Sequence, residues 1–351
     1  MITSPDDPQL DLLAKRLGEL ANLEKWPDAS LKACGEAGVF RWFLPVELGG
    51  MGWSDADVVR GYLKLSAACL TTTFVITQRT GACRRIAASA NEGVKSRLLP
   101  DLLSGATFAT VGISHLTTSR RHLNRPVLRA TFDGDSFLLD GYSPWITGGV
   151  HADALVVGAT LDDQREILAA VAGDAPGVAS ESPADLVGLT GSATGKVNFS
   201  QVHVRPEDLL GGPIENVMKA GVGAKTGGLE TSTLAIGLAS AATNYLGQEA
   251  EKRNELAIAA DRFAQELSDL QTDLLSAAAG EPRCSTEQLR TRANSIALRT
   301  TQAALSAAKG AGYVTGHPVG RWCREALFFL VWSCPQPVQQ ANLCELAGIL
   351  E

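Results

Sequence analysis

No stretch of the 351 residues approaches the roughly 20 consecutive apolar positions that a membrane span needs; the longest strictly apolar runs, such as Ala326 to Trp332, are far shorter. The chain therefore reads as soluble, with no membrane partner. Basic charge is in short supply as well, 31 Lys and Arg against 38 Asp and Glu, and the net charge of -7 argues against a nucleic-acid partner, whose phosphates need a basic face. The seven cysteines (34, 69, 83, 284, 323, 334 and 344) form no CxxC, and their odd number makes reduced thiols the expectation. The five histidines form no HxxxH, so no metal site can be argued. The opening residues, MITSPDDPQL, hold acids and prolines where a secretory leader would place a basic and then an apolar stretch, which predicts a cytoplasmic location. What is present is 45% apolar and 20% charged side chains, enough to bury a large core in two or three layers or subdomains.

The hydrophobic period changes twice along the chain. From Asp7 to about Leu103 apolar residues recur at helical spacing, as in Leu10, Leu13, Leu17 and Leu20, interrupted by a turn at Leu44 to Gly52 and restarted by Ser54 as a helix N-cap. From about Thr107 to Val204 short β-branched segments follow: Phe108–Ile113, Val127–Phe132, Ser136–Leu139, Ala154–Thr160, Ile167–Ala172 and Gly195–Val202. Asp133-Gly134-Asp135 suits a hairpin, and Asp140-Gly141 a second turn. After Gly211-Gly212-Pro213 the helical pattern resumes, first in Thr231 to Gln248, which carries no charge, then in about Glu249–Ala279 and Thr286–Lys309. The division is residues 1–105 helical, 106–210 β and 211–351 a helical bundle.

That order carries four local strings that together resemble the acyl-CoA dehydrogenase superfamily of flavoproteins. Ala37-Gly38-Val39-Phe40 leading to Leu44-Pro45-Val46-Glu47-Leu48-Gly49-Gly50-Met51-Gly52 is similar to the family's N-terminal glycine turn. Asp140 to Gly149, containing Trp145-Ile146-Thr147-Gly148, resembles its "G-x-K-x-W-I-T-(N)G" string. Gly188 to Gly195, running on to Val204, resembles the turn and strand that close the β domain. Ala308-Lys309-Gly310-Ala311-Gly312-Tyr313 is similar to the segment that receives part of a neighbouring subunit's cofactor. The resemblance covers nearly the whole chain. It implies an α+β fold with an N-terminal helical domain, a central β-barrel-like domain and a C-terminal four-helix bundle. It also implies FAD between the β domain and the bundle, and a homodimer or tetramer. The implied reaction is α,β-dehydrogenation of an acyl-CoA or related thioester, with an electron-accepting flavoprotein as a partner.

Carried over residue by residue, the resemblance assigns Trp145 to the flavin ring, with Ile146 and Thr147 at its polar edge; a plain strand with a core tryptophan is the alternative. Where relatives read "T-E-P-x-(A/S)-G-S-D", this chain has Ser114-His115-Leu116-Thr117-Thr118-Ser119-Arg120-Arg121. Ser114 and His115 remain as hydrogen-bonding candidates and Arg121 as a phosphate partner, against a basic loop with no ligand. Gly310 and Gly312 keep the contact to a neighbour's cofactor, or merely end a helix.

The base position departs from the family. Ser333 stands where many relatives carry a glutamate, and a hydroxyl is a far weaker base than a carboxylate. Some relatives place the acid instead on the first bundle helix, where Gly228-Leu229-Glu230-Thr231 aligns. Glu230 heads the charge-free run as a lone acid and is the candidate catalytic base, with an ordinary helix-start acid as the alternative. The family's "R-x-x-F-G" is missing, Lys252 and Arg253 standing near its place. These departures also suit a catalytically impaired subunit that assembles with a related active one, or a flavin-dependent monooxygenase on the same scaffold.

Overall fold

A computed structural model describes residues 1–22, 24–117, 126–220, 228–332 and 334–349. Five helices come first: α1 (Pro8–Leu20), α2 (Asp28–Ala37), α3 (Asp55–Ala68), α4 (Leu70–Ala88) and α5 (Glu92–Ser104). Their starts follow capping chemistry. The Asp7 carboxylate accepts the Gln9 amide with Pro8 at the first helical position, and Ser54 Oγ accepts the Asp57 amide at the head of α3, as its sequence position predicts. The helix α4 is buried on nearly all sides, polar residues included: Thr71, Thr72, Thr73, Arg79 and Arg85 are all among its buried side chains. Arg79 is satisfied inside, donating to the carbonyl oxygens of Leu102 and Thr107 while its guanidinium lies 3.9 Å over the Phe40 ring.

The middle of the chain forms an eight-stranded mixed sheet. Strand β1 (Ala109–Gly112) leads into a short helix α6 (Ser114–Thr117). Then come β2 (Leu128–Phe132), β3 (Phe137–Ile146), β4 (Ala154–Thr160), β5 (Glu166–Ala172), β6 (Val178–Ser180), β7 (Gly195–Val204) and β8 (Leu209–Ile214). The order is β6-β7-β3-β2-β4-β5-β8, with β1 parallel to β4. The β2–β3 hairpin turns at Asp133, whose carboxylate accepts the amides of Asp135 and Ser136.

Two sequence expectations change here. Asp140-Gly141 is not a turn but an irregularity inside β3: Gly141 has φ of 125°, the register against β7 shifts there, and a Cβ would sit 2.1 Å from the Val127 carbonyl oxygen. Gly211-Gly212-Pro213 does not end the sheet but lies within β8, at the end of the strand order, where a proline needs no inner ladder partner.

The last part is helical: α7 (Glu230–Ala250), α8 (Ala257–Ala278), α9 (Thr286–Gly312), α10 (Pro318–Ala326) and α11 (Gln336–Leu346). The helix expected over 249–279 divides, because α7 runs on to Ala250 and a short turn at Asn254–Leu256 precedes α8. Ser285 and Gln288 cap α9 reciprocally. The charge-free run packs α7 against α3 and α9. Ser66 Oγ donates to the Leu234 carbonyl at 2.8 Å, and at Gly237 a Cβ would meet Ser66 Cβ at 2.5 Å. One apolar core joins α4, α7, α8, α9 and α10, and a second fills the sheet. Among the described residues no helix is long and apolar enough to cross a membrane.

Candidate active site

Where α4, the sheet, the head of α7 and the end of α10 meet, they enclose a cavity of about 680 Å³. Helix α4 lines it with Phe74, Thr77, Gln78, Gly81 and Arg85. That is the i, i+3, i+4, i+7, i+11 stripe of one helical face, roughly 16 Å long at 1.5 Å per residue. The β side supplies Val111, Ile113, Ser114, Trp145, Ser192 and Thr194. Facing them are Glu230 and Thr231 from α7, and Arg324, Phe328 and Trp332 from α10 and the chain beyond it.

The sequence-derived candidates separate into those that reach this cavity and those that do not. Trp145, at the end of β3, lines it and is 41% exposed as a residue. Its neighbour Ile146 turns to the other face of the strand and is fully buried in the core of the sheet. Thr147 is buried too, its hydroxyl 3.0 Å from that of Thr194, which in turn is 2.8 Å from Ser192 Oγ. Of these three hydroxyl residues Ser192 and Thr194 line the cavity, and Thr147 does not.

Ser114 lines the cavity, and its buried Oγ has no hydrogen-bond partner among the described residues. His115 does not line it. Its Nε2 lies 2.7 Å from the Gly158 carbonyl, and burial pushes its pKa down to about 4, so the ring is neutral and structural. Arg121 lies outside the described residues, as does Ser333. Gly310 and Gly312, at the end of α9, are not part of the cavity. Gly310 has open space around it, and the helix is interrupted next to it at Lys309, with φ of 54°. Arg253 is engaged internally, donating to Glu249 at 2.8 Å and to the Ala307 carbonyl at 2.6 Å.

Glu230 is the first residue of α7 and lines the cavity, but it is not the sequestered acid that its charge-free surroundings suggest. Its side chain is 33% exposed, because it occupies the open end of the helix rather than the buried run. Arg84 Nη1 stands 3.8 Å from its Oε1 and is shared with Asp55 at 3.2 Å. Cys334 also lines the cavity, and burial pushes its thiol pKa up, which keeps it protonated and a poor nucleophile.

The pattern of the acyl-CoA dehydrogenase N-terminal domain family matches residues 11–106. Among curated proteins, the chain is 26% identical over 254 residues to "Probable acyl-CoA dehydrogenase YngJ" of Bacillus subtilis, covering 70% of this chain and 64% of that one. It is likewise 26% identical to (2S)-methylsuccinyl-CoA dehydrogenase of Cereibacter sphaeroides, over 68% of this chain and 46% of that one. The chain thus spans less than two thirds of the length of either relative. The solved structure of butyryl-CoA dehydrogenase from Megasphaera elsdenii superposes with a TM-score of 0.83 at 18% identity, over 97% of both chains, and so shares the fold. Residues 11–106 thus match that N-terminal domain family, and the chain is similar at low identity to acyl-CoA dehydrogenases, whose fold it shares.

As in the order read from the sequence, the chain runs helical, β, helical. Sequence reasoning did not single out Ser192, Thr194, Arg85, Arg324 or the ring cluster of Phe74, Phe328 and Trp332. The stripe on α4 was open to discovery: Thr77, Gln78 and Arg85 sit at helical spacing in a helix otherwise rich in core residues, which marks a polar face turned toward something other than water. The ring cluster depends on two segments some 250 positions apart, so no local signal announces it.

Proposed function

We propose that the chain is an FAD-dependent oxidoreductase that dehydrogenates an acyl thioester, with Glu230 as the base that removes the α-proton. The observation that carries this reading is that, among the described residues, one cavity brings together an exposed tryptophan, a residue with an unpartnered buried hydroxyl, and a carboxylate.

The β wall suits a flavin. Trp145 offers a flat apolar face to a fused ring, and Ser114 Oγ and the Ser192–Thr194 hydroxyl pair offer hydrogen bonds to a polar ring edge. A ring placed there relieves the desolvation cost of the orphaned Ser114 hydroxyl. When bound, FAD supplies the two-electron oxidant that takes the β-hydrogen as hydride.

The chain's own residues bind, orient and move a proton. Glu230 accepts the α-proton at a carboxylate oxygen. Arg84, at 3.8 Å, holds that carboxylate in place at the cavity. The apolar wall of Phe74, Val111 and Ile113 keeps water from the acyl group. Gly310 and Gly312, beside the exposed Tyr313 and Val314, are the proposed contact for a second copy of the chain.

The test is anaerobic reduction of the FAD-loaded protein by acyl-CoA. The wild-type flavin bleaches, and Glu230→Gln binds FAD but bleaches at least about a hundredfold more slowly, the scale of a lost general base. A protein that takes up no FAD, or a Glu230→Gln variant that bleaches at the wild-type rate, rejects the reading.

A further inference from the structure

Arg84, Arg85 and Arg324 stand at or beside the cavity in three different settings. Arg84 is shared between Glu230 at 3.8 Å and Asp55 at 3.2 Å. Arg324 lines the cavity but is exposed, so solvent and salt screen its charge. Arg85 lines the cavity and is only 3% exposed.

Arg85 follows Gly81 by one helical turn, and its Nη1 donates to the Gly81 carbonyl at 2.8 Å. A Cβ at Gly81 would lie 3.3 Å from that nitrogen and 3.6 Å from Val111 Cγ1, so the guanidinium occupies the corner where α4 meets β1. Ser114 follows Val111 by three positions and lines the same cavity. Burial pulls the pKa of Arg85 down from 12.5 to about 10, and the Glu230 carboxylate opposes that fall. The side chain therefore stays a cation at neutral pH, within reach of the charge of the proposed base.

Taking the α-proton of a thioester moves charge onto another atom. The proton goes to a Glu230 carboxylate oxygen, the C–H electron pair forms a double bond from the α-carbon to the carbonyl carbon, and the carbonyl π pair ends as negative charge on oxygen. A donor already in place and shielded from water stabilises that oxygen far better than solvent does. A guanidinium offers a permanent charge and a rigid fork of N–H donors. From this geometry we infer that Arg85 is a catalytic residue: its guanidinium donates to the carbonyl oxygen of the bound acyl thioester and stabilises the enolate formed as Glu230 takes the α-proton. The inference rests on the reading of the cavity as an acyl-thioester site with Glu230 as base. Arg85 and Glu230 then act on neighbouring atoms of one substrate, the first at the carbonyl oxygen and the second at the α-hydrogen.

The test uses a 3-oxoacyl-CoA as probe. Its β-carbon is a carbonyl with no hydrogen to give up as hydride, while its α-carbon ionises to an enolate that absorbs in the near ultraviolet. The probe bound to the FAD-loaded protein is titrated with pH and read as a difference spectrum. In Arg85→Gln the ionisation constant of the bound probe falls about tenfold to a hundredfold, the reach of one nearby opposite charge. Arg85→Lys keeps the charge without the fork and gives a smaller fall, which carries the test should the glutamine protein not fold. Arg324→Gln stays within about twofold of the wild type, because its charge is screened. The effect of Arg85→Gln persists when Glu230→Gln is also present. An unchanged ionisation constant in whichever Arg85 variants fold overturns the inference while the acyl site stands. So does a fall that vanishes in the Glu230→Gln background, which would make Arg85 a support for the base rather than a donor to the substrate. Absence of probe binding to the wild type rejects the acyl site and the role of Arg85 together. The predicted fall, with flavin bleaching by acyl-CoA at the wild-type rate in Glu230→Gln, supports Arg85 as the donor and rejects Glu230 as the base.

Discussion

Ser114 illustrates how one side chain reports on a missing neighbour. Leaving a hydroxyl buried and unpaired costs free energy, and here it belongs to a residue that lines the cavity. Ser114→Ala should therefore leave the cofactor-free protein as stable as the wild type or more so, while weakening FAD binding between about twofold and tenfold, the worth of one hydrogen bond. Fluorescence titration with FAD and a thermal melt of the cofactor-free protein check both halves. Equal FAD affinity in the two proteins would assign Ser114 to the scaffold. At this scale the sequence was only partly legible. Trp145, Ser114 and Glu230 reach the cavity as their motif positions suggest, whereas His115 does not, because its ring finds the Gly158 carbonyl on a neighbouring strand that no local pattern announces. Thr147 does not line the cavity for an equally physical reason, since its hydroxyl is claimed by Thr194.

Helices and strands were more legible than side-chain destinations. Period-3.6 spacing and capping residues locate α1, α3 and α9, and the β-branched segments locate most strands. The misread elements share a cause. Glycine and proline mark turns in isolation, but Gly141 serves an irregular strand and Pro213 an end strand, and only pairing partners decide between these uses. The charge-free α7 depends on close approach. A Cβ at Gly237 would lie 2.5 Å from Ser66 Cβ and 2.9 Å from the Leu63 carbonyl oxygen, so Gly237→Ala must push α7 away from α3. A destabilisation of about 1–3 kcal/mol is expected from such overpacking, read from chemical denaturation curves. Because Glu230 begins the same helix, the variant should also slow flavin reduction; unchanged stability would show that the two helices can part without cost.

At the scale of the whole molecule, two buried groups, Glu325 and His115, act on stability in opposite directions. Burial pushes the pKa of Glu325 up to about 7, with Arg321, the Thr71 hydroxyl and Arg324 only partly opposing it, from an ordinary 4.5. Its folded-state pKa is raised, so its favourable contribution is complete below about pH 4.5 and is lost as pH rises to about 7, a fall of up to about 3 kcal/mol. His115 works the other way. With its folded pKa lowered from 6.5 to about 4, its contribution is present above pH 6.5 and is lost as pH falls toward 4. Both groups contribute to the wild-type profile, so the difference between Glu325→Gln and wild type isolates the acid. The variant should match the wild type near pH 4 and become relatively more stable as pH rises to 7. A difference that does not change with pH would contradict this assignment.

The proposed reaction places a flavin and an acyl thioester in the cavity between helices and sheet, with Glu230 at the α-carbon. Exchange of the substrate's α-hydrogen with solvent deuterium reads that contact alone, and the partial exposure of Glu230 lets its proton reach water. Wild-type protein loaded with FAD should catalyse the exchange, Ser114→Ala should retain it, and Glu230→Gln should lose it. Exchange at the wild-type rate in Glu230→Gln would contradict the account.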